Sequence, residues 1–522
     1  MRVVLVNWAR LWDGASYGGG VNGHVQALAL ELVRRGHDVV SLCSGNTYDT
    51  GDAIDAPGQC RAVRHPDWRG VRVFEIINSP VLAPSLAQFD EPMAEVSSPD
   101  LEAEVATLLE RLAPGVVHFH SLEGLSIGVL DAARNLPSRP QVIFSLHNYH
   151  TICPQVCLMQ GHRRPCRSFD GGHRCIGCVP STNPGGERAF RAVTRLQTGS
   201  GVAGRDGSFP VLTDDDARRP VVMRGPDLRG QIGEIRLDNR PHLWSGIGLP
   251  DPVWEPFENV VEPEPPTDRP PNNYARRREA MVSMLNRCDS VLAVSTFVEA
   301  KFRTMGVNPR VLSMVHIGCP MTELAASLAP AAREGLPDAD VDDVVRIGFM
   351  GYNNWYKGLP LLAAALELLP SDVLSRIHLS VFAVGGDEPE ARFTRVRSQL
   401  DGALFVRGYE YDAIPRLLDR IDLGVVPSTW WDNGPQTVME YLACGVPVLG
   451  AEAGGIPDLV QHDWNGWLFR ANDPEDLARR LDRIVSDPRS LRAVRRNVLP
   501  PKGVVEHAVE LEELYARAAA PA

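Results

Sequence analysis

Two stretches of this 522-residue chain open in the same way, about 340 residues apart, and that repetition limits the folds it can adopt. Val3-Val4-Leu5-Val6 is a continuous apolar run followed by the glycine turn Gly18-Gly19-Gly20. A helical pattern comes next, with Val25, Leu28, Ala29, Leu32 and Val33 on one face and Gly36 as its stop. Val345-Arg346-Ile347-Gly348-Phe349-Met350-Gly351 repeats the theme ahead of a helical pattern over residues 359–369. Each opening is a strand, glycine loop and helix of the kind that builds parallel α/β sheets. The expected fold class is therefore α/β: two Rossmann-like domains facing across a cleft, with an irregular Cys-containing insertion in the first.

Further apolar runs extend both units. Residues 116–120, 141–147 and 290–295 continue the first, and residues 379–383 and 423–427 the second. The expected boundaries are 1–318 for the first domain and 319–500 for the second, with the linker near Ile317 to Pro320. Residues 501–522 would form a C-terminal helix, over 504–519, that crosses back to the first domain. The length exceeds one ordinary core and suits two domains plus an insertion, placed at about 151–280. Within it, residues 196–275 are rich in Gly, Pro, Arg and Asp and lack periodicity, which predicts an irregular or weakly β segment. Such a segment serves either as an acceptor-recognising lid or as a tolerated surface insertion.

Lys and Arg number 53 and Asp and Glu 65, a net charge of 53 − 65 = −12, which argues against a general nucleic-acid binder. No apolar run is long enough to span a bilayer. Residues 1–7 read as a first strand rather than a secretion signal. A cytoplasmic location follows as the expectation, with peripheral contact at the inner face of the membrane as an option.

The most informative run is Asp432-Asn433-Gly434-Pro435-Gln436-Thr437-Val438-Met439-Glu440, which leads into a Pro447-Val448 strand start. A helix beginning at Pro435 has a preset first dihedral and needs no amide hydrogen there. Its free amides and macrodipole would hold an anion such as phosphate at Asn433, Gly434, Pro435 and Gln436. Glu440 lies five residues on, roughly 7.5 Å along the axis, where it could accept hydrogen bonds from ribose hydroxyls. The amides of Gly19 and Gly20 would face the same anion from the other domain. Taken alone, Glu440 sits opposite the apolar Val438/Leu442 face and reads as solvent-exposed.

This run resembles the signature of retaining GT-B glycosyltransferases of family 4, the group 1 type. Gly454-Gly455-Ile456-Pro457-Asp458, Asn465-Gly466-Trp467 and the opening glycine loop with Arg35-Gly36-His37-Asp38-Val39 are similar as well. The resemblance covers both ends and most of the chain, but not roughly residues 180–275. It departs at Asp432, where the family usually has Glu, and at Tyr352, where an Arg often follows the glycine.

The resemblance implies a hexosyltransferase that moves a sugar from a nucleotide-sugar donor (UDP, GDP or another) to a hydroxyl acceptor. Configuration would be retained by front-side displacement, without a covalent intermediate. The acceptor would be a glycan, a lipid-linked or a small molecule, in polysaccharide, glycolipid or glycoconjugate biosynthesis. Lys357 matches the phosphate lysine. His120 matches the second His of a His-x-His pair near the donor sugar, while His118 points by strand alternation into the core. Asp432 would lie near the donor sugar or α-phosphate; His147 and Asn148 are further cleft residues. No metal is required for such chemistry. The rival readings are a catalytically silent nucleotide-sugar binder, a zinc-pinned assembly protein, or another GT-B reaction such as epimerisation.

Five of the ten cysteines, Cys153, Cys157, Cys166, Cys175 and Cys178, fall within 26 residues. Dense cysteines outside an oxidising compartment point to metal, and Cys175-x2-Cys178 is half of a zinc spacing. Cys153 and Cys166 would complete a structural site, with Cys157 as the alternative and His162 and His173 as spare ligands. An iron–sulfur cluster, free thiols or an oxidised bridge are the other readings. A similar Cys-rich insert marks a subset of the family, here introduced by His147-Asn148-Tyr149 and Cys153-Pro154.

Overall fold

The computed structural model describes residues 1–49, 58–198, 254–332, 344–386 and 388–517. Its first main sheet contains β1 (Arg2–Val6), β2 (Asp38–Ser44), β3 (Arg61–Arg64), β4 (Arg72–Ile77), β5 (Val116–Phe119), β6 (Gln141–Leu146), β7 (Ser290–Ala293) and β8 (Leu312–Met314). Their order is β8-β7-β6-β5-β1-β2-β4-β3, parallel throughout except for β3 at one edge. The second sheet holds β9 (Val345–Tyr352), β10 (Ile377–Val384), β11 (Gly402–Arg407), β12 (Leu423–Val426), β13 (Val448–Glu452) and β14 (Gly466–Arg470). It runs β11-β10-β9-β12-β13-β14 and is wholly parallel. The central strands are buried on both faces, as their continuous apolar runs require.

This topology places the site. In each sheet the strand order reverses once, between β1 and β5 in the first and between β9 and β12 in the second. Loops leaving the carboxyl ends of strands at such a reversal enclose a crevice, where ligands of α/β sheets bind. The glycine loop follows β1 and His120 follows β5; residues 353–358 follow β9 and residues 427–435 follow β12.

The helix Val504–Arg517 packs along Gly14–Arg34. The Tyr515 hydroxyl shares a 2.8 Å hydrogen bond with His118 Nδ1, and Glu512 lies 2.6 Å from His37 Nε2. Cys319 N donates to Lys502 O at 2.9 Å, so the two chain crossings between the domains run side by side.

Regular structure reaches into the region expected to be irregular. The helices Pro184–Thr198 and Asn273–Leu285 both fall within 151–280 or at its edge. Asn273–Leu285 looks like a charged surface segment because of its Arg-Arg-Arg run, yet it buries Arg277 and Arg278 beside Met281, Met284 and Leu285. Its charges are absorbed by partners elsewhere in the chain, Glu95 for Arg277 and Glu264 for Arg278. Residues 254–272 contain neither helix nor strand, and residues 199–253 lie outside the described residues. The returning segment lies along the second domain: Phe257 N donates to Ala471 O at 3.2 Å, and Asn259 Nδ2 donates to Gly454 O at 3.1 Å. Among the described residues no helix is long and apolar enough to cross a membrane.

Candidate functional site

The loops at the second reversal bring Lys357 and Asp432 together. Lys357 Nζ donates to Asp432 Oδ2 at 2.9 Å, and Ser428 Oγ donates to the same oxygen at 3.2 Å. Asp432 is buried and Lys357 partly so. The Asp432 backbone is held from below, where Gly455 N donates to its carbonyl at 2.7 Å. Gly454 has φ 58°, and a Cβ there would sit 2.1 Å from the Asp432 carbonyl oxygen. Only glycine meets both conditions. Gly454→Ala is expected to push the 430–433 loop out of place, at a cost of about 1–3 kcal/mol. Urea unfolding should show that loss against wild type; an unchanged midpoint for Gly454→Ala would sink this account.

The short helix spans Gln436–Ala443, with Pro435 as its N-cap residue rather than its first turn. The expected start is thus corrected by one residue, because Pro435 has ψ 86° and is not yet helical. Gln436 Nε2 donates to Gly20 O at 2.7 Å, tying the helix start to the first domain's glycine loop. That loop interrupts the helix Gly14–Arg34 at Gly19, whose φ of 66° breaks the helical run. The predicted anion-binding residues of the two domains, Gly19 and Gly20 on one side and Gly434 to Gln436 on the other, therefore meet. Beside them, Asn433 is buried, and neither its amide nitrogen nor its oxygen has a partner among the described residues. Leaving such groups unpaired costs about 1–3 kcal/mol each, a deficit a polar ligand would remove.

Glu440 is only 8% exposed, which corrects the reading from helix geometry alone. The face opposite Val438 and Leu442 does not meet solvent. Tyr352, Tyr409 and Cys319 lie close enough to feel the Glu440 charge. Burial pushes the Glu440 carboxyl up to about 7, and the positive charge of Lys357 offsets this only in part. Burial, and after it the Glu440 charge, push the Tyr352 hydroxyl up.

The first reversal builds a wall of imidazoles. His120 is buried, and its Nδ1 lies 2.9 Å from His147 Nε2. His118 stacks on His120 at 4.1 Å and is fixed in the core by Tyr515 and Ser145, as strand alternation predicts. Burial keeps His118 and His120 well below the usual imidazole range and brings His147 down to about 3. Asn148 turns aside, with Nδ2 donating to Glu123 Oε1 at 3.2 Å. His24 joins this wall and had no motif to announce it. Its one signal is position, a single helical turn beyond Gly20 and so on the loop's own face.

Cys153, Cys157, Cys166, Cys175 and Cys178 are free thiols. Burial pushes them up, Cys166 to about 12 and Cys178 to about 11. Cys178 Sγ accepts the Gly161 amide hydrogen at 3.3 Å. The thiols lie near one another, yet no three of them come within 4.8 Å of each other among the described residues. The expected zinc ligands Cys153, Cys166, Cys175 and Cys178, and the alternative Cys157, sit in one irregular segment, with Cys153, Cys166 and Cys178 close enough to Cys175 to act on its thiol. The segment is held by backbone turns and single hydrogen bonds.

Residues 340–498 match the family of glycosyl transferases group 1, and residues 19–195 match the glycosyl transferase 4-like domain. The chain is 30% identical over 241 residues to a D-inositol 3-phosphate glycosyltransferase of Thermobifida fusca, covering 42% of this chain and 51% of that one. It is 26% identical over 221 residues to a phosphatidyl-myo-inositol mannosyltransferase of Propionibacterium freudenreichii, covering 41% and 52%. The chain spans about half the length of the curated relatives it matches. In fold it is similar to Alr3699/HepE of Anabaena, crystallised in complex with UDP, with a TM-score of 0.54 at 15% identity over 99% of this chain and 100% of that one. The two facing Rossmann-like domains are the GT-B architecture.

Proposed function

With residues 19–195 belonging to the glycosyl transferase 4-like domains and residues 340–498 to the glycosyl transferases of group 1, we propose that this protein transfers a hexose. The donor is a nucleotide sugar, the acceptor a hydroxyl group, and the configuration is retained. The observation that carries this reading is the meeting of Gly20 and Gln436 across the domains beside the unpaired amide of Asn433. The donor diphosphate rests on the amides at the start of the Gln436–Ala443 helix, with Lys357 swinging from Asp432 to supply a full positive charge. Glu440 accepts from the ribose hydroxyls, which favours its ionised form on binding. His120 and Asp432 border the sugar. The anomeric carbon–oxygen bond to phosphate breaks as the acceptor oxygen bonds on the same face, and the acceptor proton passes to the departing phosphate. The first domain supplies the acceptor surface, for a glycan, a lipid-linked or a small molecule, with peripheral membrane contact in the lipid-linked case.

The Anabaena neighbour's UDP orders the donors to try, with UDP-hexoses before GDP-, ADP- and dTDP-sugars. At a hundred times Kd, a true donor should stabilise the fold by about 2.7 kcal/mol in thermal unfolding. Lys357→Met should weaken that donor about 10-fold or more, through loss of a charged hydrogen bond of ~1.5–3 kcal/mol. No shift with any nucleotide would reject the donor site. A shift without turnover on any offered acceptor would favour the silent binder, a reading that the Lys357–Asp432 ion pair also suits.

A further inference from the structure

Among the described residues, one group of three ligand-type side chains converges, and it is made of His24, His120 and His147. One ring nitrogen from each lies within 4.8 Å of the other two. The His120 to His147 separation of 2.9 Å and the 4.8 Å limit bracket the roughly 3.3 Å edge of a tetrahedral zinc site, whose bonds to nitrogen run about 2.0–2.1 Å.

The polar accounting points the same way. His24 and His120 are 1% and 2% exposed. Neither ring nitrogen of His24 makes a hydrogen bond among the described residues, whereas His120 faces His147 through Nδ1 and its unpaired Nε2 lies on the opposite edge of the ring. The Gly318 backbone lies beside His24 without the geometry of a hydrogen bond. Buried nitrogens left this way cost about 1–3 kcal/mol apiece unless something occupies the space between them. Their surroundings are stiff: His118 stacks on His120 and is itself pinned by Tyr515 and Ser145, and His507 packs against His24 at 5.2 Å.

We propose that His24, His120 and His147 form a binding site for a divalent transition metal of the zinc type, on the first-domain wall of the cleft. Three imidazoles without a carboxylate or thiolate select zinc, cobalt, nickel or copper over magnesium, calcium or manganese. Three protein ligands leave a fourth position for water or another ligand. The His120–His147 hydrogen bond is given up on binding: the ring that carried its proton shifts it to its other nitrogen, so that each neutral imidazole binds through a lone pair and keeps one N–H facing away from the metal. The test reads metal binding alone; because His120 also borders the donor sugar in the proposed transfer, an occupied site would lie beside that sugar.

The test uses the full chain, stripped with chelator and titrated with Co2+. One equivalent should give visible ligand-field bands without strong near-ultraviolet thiolate charge transfer, and Zn2+ should displace it while excess Mg2+ does not. The bands should persist in Cys153→Ser/Cys178→Ser and weaken roughly 100-fold or more in affinity in His24→Ala and in His147→Gln. His147 is partly exposed, so its variant decides the matter if His24→Ala fails to fold. No bands in the unmodified protein would overturn the site, as would bands that survive both histidine substitutions or vanish with the cysteines. A bridging water alone between the imidazoles would give the first of these results.

Discussion

Glu440→Gln is expected to cut donor-dependent transfer sharply while making the protein more stable at pH 8. The carboxyl is raised from 4.5 to about 7, first by burial, with Lys357 opposing. A carboxyl so raised holds its proton more tightly in the folded chain than in the unfolded one. Folding therefore bears no ionisation cost below pH 4.5, a growing cost between pH 4.5 and 7, and the full cost above 7. That cost is about 3 kcal/mol. Gln keeps the shape and cannot ionise, so wild type and variant should differ most at pH 8 and converge toward pH 4.5. Urea unfolding at pH 5 and pH 8 reads this directly; parallel profiles for the two proteins would refute the buried, ionisable state. In transfer assays the variant loses the charged group proposed to accept from ribose, worth ~1.5–3 kcal/mol, or about 10- to 150-fold in kcat/KM. A residue that destabilises the free protein and favours the bound one is a mark of a binding site.

Glu95→Ala should be among the most destabilising single changes in the first domain. Glu95 lies between Arg277, which is 0% exposed, and His150, whose Nε2 is 2.8 Å away. Arg277 Nε donates to the Glu95 carboxylate, and its Nη2 donates to His150 O at 2.9 Å. Removing Glu95 leaves a buried guanidinium without its counter-charge, a loss of about 3–5 kcal/mol. Arg277→Met together with Glu95→Leu should be far milder, because no charge is then stranded. The acid limb follows from the same pair. Burial alone would raise Glu95, but the charges of Arg277 and His150 outweigh it and hold the carboxyl down to about 2. Its contribution is complete above pH 4.5 and lost as pH falls toward 2. Urea midpoints at pH 7 and pH 3 for the single and double variants provide the check. Equal midpoints for Glu95→Ala and the double variant would mean that the pair contributes nothing beyond packing.

These two acids mark how far the chain could be read without its fold. Strands apolar on both faces, a glycine that must take positive φ, and a Gly-Pro helix start are properties of short windows, so both sheet openings and the Gln436–Ala443 helix were legible. The helix Asn273–Leu285 was not, because its arginines are paid in contacts with Glu95 and Glu264, which no local pattern reveals. The cysteine spacing was legible as a zinc half-site, while the nearness of Cys153 and Cys166 to Cys175 comes from the backbone turns of residues 153–178.

Sequence alone determined the α/β class, the doubled Rossmann-like opening and the glycine loop and helix start that meet between the domains. Each depends on periodicity and backbone preference over about ten residues. Tertiary structure decided that Glu440 is buried, that Lys357 is paired with Asp432, and that His24 stands with His120 and His147. Burial and electrostatics at those positions come from groups far apart in the chain. Their charge states and partners exist only once the two sheets have brought their loops to one cleft.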